Sequence, residues 1–134
     1  MLIFTSPDGR SLAIEVGKKK LVFFPSKAVS GALSFFAKPD EVPTKETISW
    51  PGEYDIDGVA IRGIGQSEGG HVSYVIEAEG VRCAVLPAPM REWTDHDIEL
   101  LGDVAVMAIQ GDDTKKAQNV IEEVDPRVII PLAS

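Results

Sequence analysis

The sequence predicts an α/β (α+β) domain, an antiparallel N-terminal meander of strands followed by a βαβαβ C-terminal part. Three observations carry this. Short apolar stretches up to about residue 86 are separated by the tight-turn pairs Asp8-Gly9, Asp57-Gly58 and Glu79-Gly80. Such pairs tolerate the left-handed backbone of two-residue hairpins. Beyond that point the apolar period lengthens, with Ala117, Val120, Ile121 and Val124 at helical spacing. That helix lies between "VAVMAI" and "RVIIPL", and so short a strand–helix–strand unit implies a parallel, right-handed crossover. With 134 residues, the chain is expected to form one domain over 1–134.

The elements follow in order. "MLIFT" and "SLAIEV" form a hairpin about Asp8-Gly9. "LVFF" reads as a strand buried on both faces and ended by Pro25. Between Ser26 and Glu46 the pattern allows a strand near Leu33 to Phe36 or an irregular crossing, and Pro39 and Pro43 make its end a loop. "ETISW" is a short strand. Pro51-Gly52 fits the centre of a type II turn. "EYDI" and "VAIRGI" pair about Asp57-Gly58, "QSEGG" is a loop, and "HVSYVIEA" and "VRCAVL" pair about Glu79-Gly80. "TDHDIELLG" is a short helix with Thr94 as N-cap, Asp97 at capping-box spacing and Gly102 as its stop. The second helix, "KKAQNVIEEV", starts at Asp112, Asp113 or Thr114 and stops at Asp125-Pro126.

Composition excludes several classes of partner. Thirteen basic against 21 acidic residues give a net charge of −8. That sign opposes binding to nucleic acid or to an anionic membrane. No apolar run approaches the roughly 18–20 residues of a membrane span. The start "MLIFTSPDGR" does not read as a signal peptide. A single cysteine, Cys83, forbids an internal disulfide and suits a reducing compartment. The expected location is the cytoplasm.

Candidate chemical groups are few. Zinc needs three or four converging His, Cys or carboxylate ligands. The chain has only His71 and His96, and no HxH, HExxH or CxxC. His96, between Asp95 and Asp97, reads as the exposed first turn of a helix, where carboxylates meet the dipole favourably. His71 reads as a solvated strand end. Cys83 alternates with Val81 and Val85 and is expected to face the core as a small hydrophobe. Lys18, Lys19 and Lys20 read as a solvated turn. Glu53, Asp55 and Asp57 share a strand face that suits a hard cation or, more simply, a solvated edge. "GIGQSEGG" is rich in glycine but precedes no helix, so it lacks the N-terminus of a phosphate site.

The order of motifs resembles the metallo-β-lactamase superfamily, in its branch of hydrolases related to ascorbate-6-phosphate lactonase. The stretches that carry the likeness are "PGEYDIDGVAIRGI" from Pro51, "YVIEAEGVRCAVLPAP" from Tyr74, "LGDVAVMAIQ" from Leu101 and "TKKAQNVIEEVDPRVIIPLAS" from Thr114. The opening hairpins match more weakly. The resemblance implies a sandwich of two β-sheets flanked by helices. It also implies metal ligands from an HxHxDH segment, a later His-x-Gly-Asp position and a final histidine. This chain departs at each. Residues between Phe24 and Thr47 hold no histidine, Val85 stands at the second position and Ala133 at the third.

Three functions remain open at this stage. The first is a shortened, metal-free and non-catalytic relative acting as a binding or self-assembling module, without cofactor or assigned catalytic residues. The second is a hydrolase with a relocated site using His71, His96, Cys83 or the Asp95/Asp97 pair. The third is a small-molecule-binding regulatory domain. The missing segment before Thr47 is expected to leave Phe23-Phe24 and Phe35-Phe36 on an exposed apolar face. Such a face would favour a homo-oligomer or a protein partner.

Overall fold

The computed structural model describes residues 2–40, 46–56, 58–65, 71–111 and 113–133. The expected readings at Pro43, Asp57, Asp112 and the "QSEGG" loop fall outside the described residues. Two sheets pack face to face. The first contains β1 (Leu2–Thr5), β2 (Leu12–Val16), β3 (Lys19–Phe23), β4 (Leu33–Phe35) and β5 (Thr47–Ile48), in that spatial order. The second has the order β11-β10-β9-β8-β7-β6, from β6 (Gly52–Ile56), β7 (Val59–Ile64), β8 (Ser73–Ala78), β9 (Val81–Leu86), β10 (Val106–Gln110) and β11 (Val128–Leu132). Helices α1 (Asp95–Leu101) and α2 (Thr114–Val124) connect β9 to β10 and β10 to β11. No helix among the described residues is long and apolar enough to cross a membrane.

The first sheet departs from the expected meander. β1, β2 and β3 are antiparallel, but β3–β4 and β4–β5 are parallel. Phe24 takes a left-handed φ of 59° where β3 ends. The chain then crosses the sheet's outer face and re-enters in the same direction. Residues there are small and close-packed: Ala13, Val22 and Ala32 form a buried cluster with Val29 against it. The Ser34 hydroxyl accepts from Val29 N at 3.0 Å, which ties the crossing segment down. Lys19 and Lys20 belong to β3, so only Lys18 of the three lysines lies in the turn.

The inner face of this sheet corrects a second expectation. Phe23 and Phe35 are fully buried, while Phe24 is partly buried against the same core. Phe36 is also partly buried. Phe23 and Phe35 stack at 4.5 Å between centroids, and Tyr74 meets Phe35 edge-on at 5.2 Å. The rings therefore fill the sandwich, so the argument for self-association through an exposed phenylalanine face lapses. Among the described residues, the large apolar side chains that do stand exposed are Ile3, Trp50, Val128 and Ile129. Two of these lie on the edge strand β11. Val128 N and Leu132 O bond toward β10, so residues 128 and 132 direct their backbone inward. The alternate residue Pro131 then falls where an N–H would face solvent, and proline has none to offer. This blunts the edge against strand addition.

Pro51-Gly52 is a corner between sheets, not a hairpin turn. β5 belongs to the first sheet and β6 to the second. Gly52 has φ 150°, far from the roughly +80° of a type II turn. The corner packs directly on β7. A Cβ on Gly65 would lie 2.6 Å from Pro51 Cγ, and one on Gly63 would lie 3.1 Å from Trp50 O. Glycine at both positions lets the Trp50-Pro51 backbone cross this close.

The second sheet follows the sequence closely. β6–β7, β7–β8 and β8–β9 are antiparallel, and β9–β10 and β10–β11 are parallel. Its outer face carries the helices, with Ala84, Leu86, Met107, Leu101 and Val120 in one buried cluster. The Thr94 hydroxyl caps α1 by accepting from Asp97 N, and Asp113 caps α2 by accepting from Lys116 N. Arg82 closes the other end of α1 by donating to Leu101 O at 2.6 Å. Asp125, in left-handed conformation, ends α2.

One side chain bonds from the second sheet to the short strands of the first. Tyr74 of β8 is fully buried, and its hydroxyl reaches Phe36 O at 2.8 Å and Ile48 O at 3.2 Å. Those carbonyls follow β4 and end β5. Burial raises the Tyr74 pKa, so the phenol stays protonated and donates. Replacing Tyr74 by Phe removes the donor and leaves buried carbonyl capacity unmet. The expected loss is about 1–3 kcal/mol, read by urea denaturation, with the denaturant slope unchanged.

Candidate functional site

The parallel strands β9, β10 and β11 all end at one side of the sandwich, and a cleft of about 730 Å³ opens there. In sheets of this kind ligands gather outside the carboxyl ends of parallel strands. Phe24, Phe36, Ala37 and Ala88 give the cleft apolar walls, and Arg10, Lys38 and His71 also line it. Asp40 is the one acidic side chain among its lining residues.

Each polar residue sits on backbone that is tied down. Asp8 accepts from Arg10 N at 2.9 Å, from Ser11 N at 2.8 Å and from the Ser11 hydroxyl at 2.8 Å. These bonds hold its carboxyl down at about 2. The Gln110 side chain accepts from Ala88 N at 3.0 Å and donates to Arg10 O at 2.9 Å. Ala133 N donates to Gly9 O at 2.7 Å. The β1–β2 turn is thereby clasped to the ends of β10 and β11. On the opposite wall, Val72 N donates to Ala37 O at 2.6 Å, which fixes both His71 and Lys38 through their neighbours. Asp40 N donates to the Ser49 hydroxyl, and the Trp50 indole donates to Asp40 O. Neither Arg10 nor Lys38 has an ion-pair partner among the described residues.

Solved structures resemble this chain over nearly its whole length. A Thermotoga maritima protein assigned to the metallo-β-lactamase superfamily as a Zn-dependent hydrolase superposes with a TM-score of 0.78 at 21% identity, covering 98% of this chain and 75% of its own. This decides the fold. The chain has the metallo-β-lactamase fold. The Bacillus subtilis metallo-β-lactamase fold protein YhfI agrees, with a TM-score of 0.66 at 7% identity over 96% of this chain and 81% of its own. A diphosphatase of the PhnP family gives 0.56 at 9% identity over 92% and 76%. No protein-family model and no curated protein matches the sequence.

The cleft lies beside the chain positions at which the resemblance implies metal ligands. Its wall includes residues from the Phe24–Lys38 stretch and Ala88, just past Val85, while Ala133 bonds beside Arg10. Val85 is fully buried between the sheets, and neither it nor Ala133 carries a donor side chain. Within the cleft only His71 and Asp40 are ligand types, and no group of three or more His, Cys, Asp or Glu converges among the described residues. This donor set does not fit zinc, which takes three or four such ligands.

The other candidates are dispersed. His96 is exposed on α1, outside the second sheet. Cys83 faces the opposite way, into the core between the sheets, and burial pushes its thiol up to about 12. Asp97 is ion-paired with Arg91, whose guanidinium also lies 4.7 Å from the Trp93 ring. Glu53 is paired with Arg62, its cross-strand partner, as expected of a solvated edge, and Asp55 lies opposite Ala60. The signal sequence reading missed is the assembly of Arg10, Lys38 and Gln110. Nothing in their spacing marks it, because only the topology brings them together.

Two outcomes follow from these environments. In the folded protein at pH 8, Cys83 is expected to stay unreactive toward a disulfide reagent and to react fully once urea unfolds the chain. Rapid labelling of native protein would contradict its placement. Asp8 has a folded pKa below its unfolded value, so its stabilisation is complete above the ordinary aspartate range and is lost as pH falls toward 2. Asp8→Ala is expected to lower the urea midpoint at pH 7 and to flatten its decline between pH 4 and pH 2.

Proposed function

We propose that this chain is a metal-free, non-hydrolytic binding module built on the metallo-β-lactamase fold. The observation that carries the reading is the donor content of the end cleft, where the described residues supply two ligand-type side chains beside two cations without an ion-pair partner among them. Metal-dependent hydrolysis needs a bound ion to generate hydroxide near neutral pH. A site lined by Arg10 and Lys38 opposes a divalent cation electrostatically and supplies too few side chains to hold one. The names of the solved neighbours include a Zn-dependent hydrolase and a diphosphatase. At 21% identity and below, they speak for the scaffold and leave the chemistry to the residues in place.

A relocated hydrolytic centre draws no support from the placement of its candidate groups. His71 lines the cleft, His96 lies on the helical layer, and Cys83 is sealed between the sheets. Chain expressed in medium supplied with zinc, iron and manganese, and purified without chelator, is expected to carry far less than one metal equivalent by elemental analysis. Stoichiometric metal, together with phosphoester or lactone hydrolysis that a chelator abolishes, would overturn the reading.

A further inference from the structure

The cleft has two unlike halves. Phe24, Phe36, Ala37 and Ala88 present apolar surface. Arg10 and Lys38 present charge, and His71 adds an imidazole. Among the described lining residues, two cations against the one carboxylate of Asp40 give a net positive charge within a chain of net charge −8. A concave, positively charged region in an acidic protein focuses field toward anions. The cations stand on clasped backbone, Arg10 through Asp8 and Gln110 and Lys38 through Val72 and Ser49. Little ordering of the main chain is then needed when a ligand arrives.

A depression beside β3, lined by Lys18, Lys19 and Lys20 with Glu46, Leu33 and Ile56, also joins cations to apolar surface, but it lies away from the ends of the parallel strands β9, β10 and β11. Two others lack the combination. The open face of the second sheet carries Glu53 with Arg62 and Glu77 with Arg82, charges that neutralise one another. The groove between α1 and α2 is dominated by carboxylates, with Glu92, Asp95, Glu122 and Glu123 along it.

We propose that the end cleft binds a small organic anion directly, without a metal. Arg10 and Lys38 meet its phosphate or carboxylate group, and the Phe24–Phe36 wall meets its apolar body. This deepens the binding-module reading and rests on it. Arginine supplies a fixed fork of donors for an oxyanion, and lysine supplies a mobile point charge.

Phenylphosphate is the test ligand, with inorganic phosphate and phenol as its two halves. Isothermal titration is expected to show saturable phenylphosphate binding that weakens with added salt. Inorganic phosphate should bind more weakly, and phenol should not saturate. Arg10→Gln and Lys38→Gln should each weaken phenylphosphate binding roughly tenfold while leaving the unliganded melting temperature unchanged. Absence of saturable binding in the millimolar range would overturn the proposal. So would an affinity unchanged in both variants, which would put the ligand elsewhere. Equal affinity for inorganic phosphate would remove the role of the apolar wall. Release of phenol by the wild-type protein would overturn the non-hydrolytic reading while leaving anion binding by Arg10 and Lys38 standing.

Discussion

The Tyr74 hydroxyl reaches two carbonyls of the opposite sheet from inside the core, and much of the molecule is arranged around that contact. The first sheet is a weak unit alone. β4 and β5 have only three and two residues, and their pairing is parallel. Strands so short contribute few ladder bonds and cannot persist unsupported. Tyr74 gives them an anchor on β8, the most buried strand of the other sheet. Phe23, Phe35 and Phe24 pack about its ring, so one residue joins apolar burial to a directed hydrogen bond. The neighbouring bond from Val72 N to Ala37 O extends the joint to the rim of the cleft.

What could be read from sequence follows the range of the forces involved. The hairpin at Glu79-Gly80 was legible because turn conformation is set by two residues, whereas the β1–β2 connection about Asp8-Gly9 runs from Ser6 to Ser11, longer than the tight turn expected. The Thr94 cap of α1 and the apolar face of α2 were legible because their partners lie three or four residues apart, while the start of α2, left open among Asp112, Asp113 and Thr114, falls to Asp113. The β3–β4 crossing was not. It is made by an irregular segment, and its fit depends on Ala13, Val22 and Ser34 being small on a face that sequence does not reveal. The phenylalanine pairs were misjudged for the same reason. Adjacent rings look like a surplus until the opposing sheet is present to cover them. In the cleft, Arg10 and Gln110 are far apart in the chain, and a side-chain bond to a backbone carbonyl leaves no pattern to find.

The resemblance supplied the sandwich correctly because its matching stretches are those that make strands, turns and packing contacts. The chain positions at which the resemblance implied ligands lie near the end cleft. Where donors would gather, the chain closes its loops onto one another through Gln110, Asp8 and Ala133. Such bonds keep the cleft shaped. An open cavity whose cations have no ion-pair partner among the described residues differs physically from one that has collapsed, since collapse would bury apolar surface and pair the charges.

The stretch from Trp50 to Ile64, crowded with turn residues and charges, takes its place through this same end of the molecule. Its first residues carry the chain from the edge of one sheet to the edge of the other. Gly63 and Gly65 admit the crossing by omitting side chains that would strike Trp50 and Pro51. Once seated, the corner is held by Tyr54, whose hydroxyl donates to Trp50 O at 2.7 Å. The Trp50 indole in turn donates to Asp40 O at 2.8 Å, two residues from Lys38. A polar side chain on β6 is thus connected through a tryptophan to the wall that carries one of the cleft's cations. The residues that set the corner between the sheets also support the position of Lys38, so folding and binding share one set of constraints here.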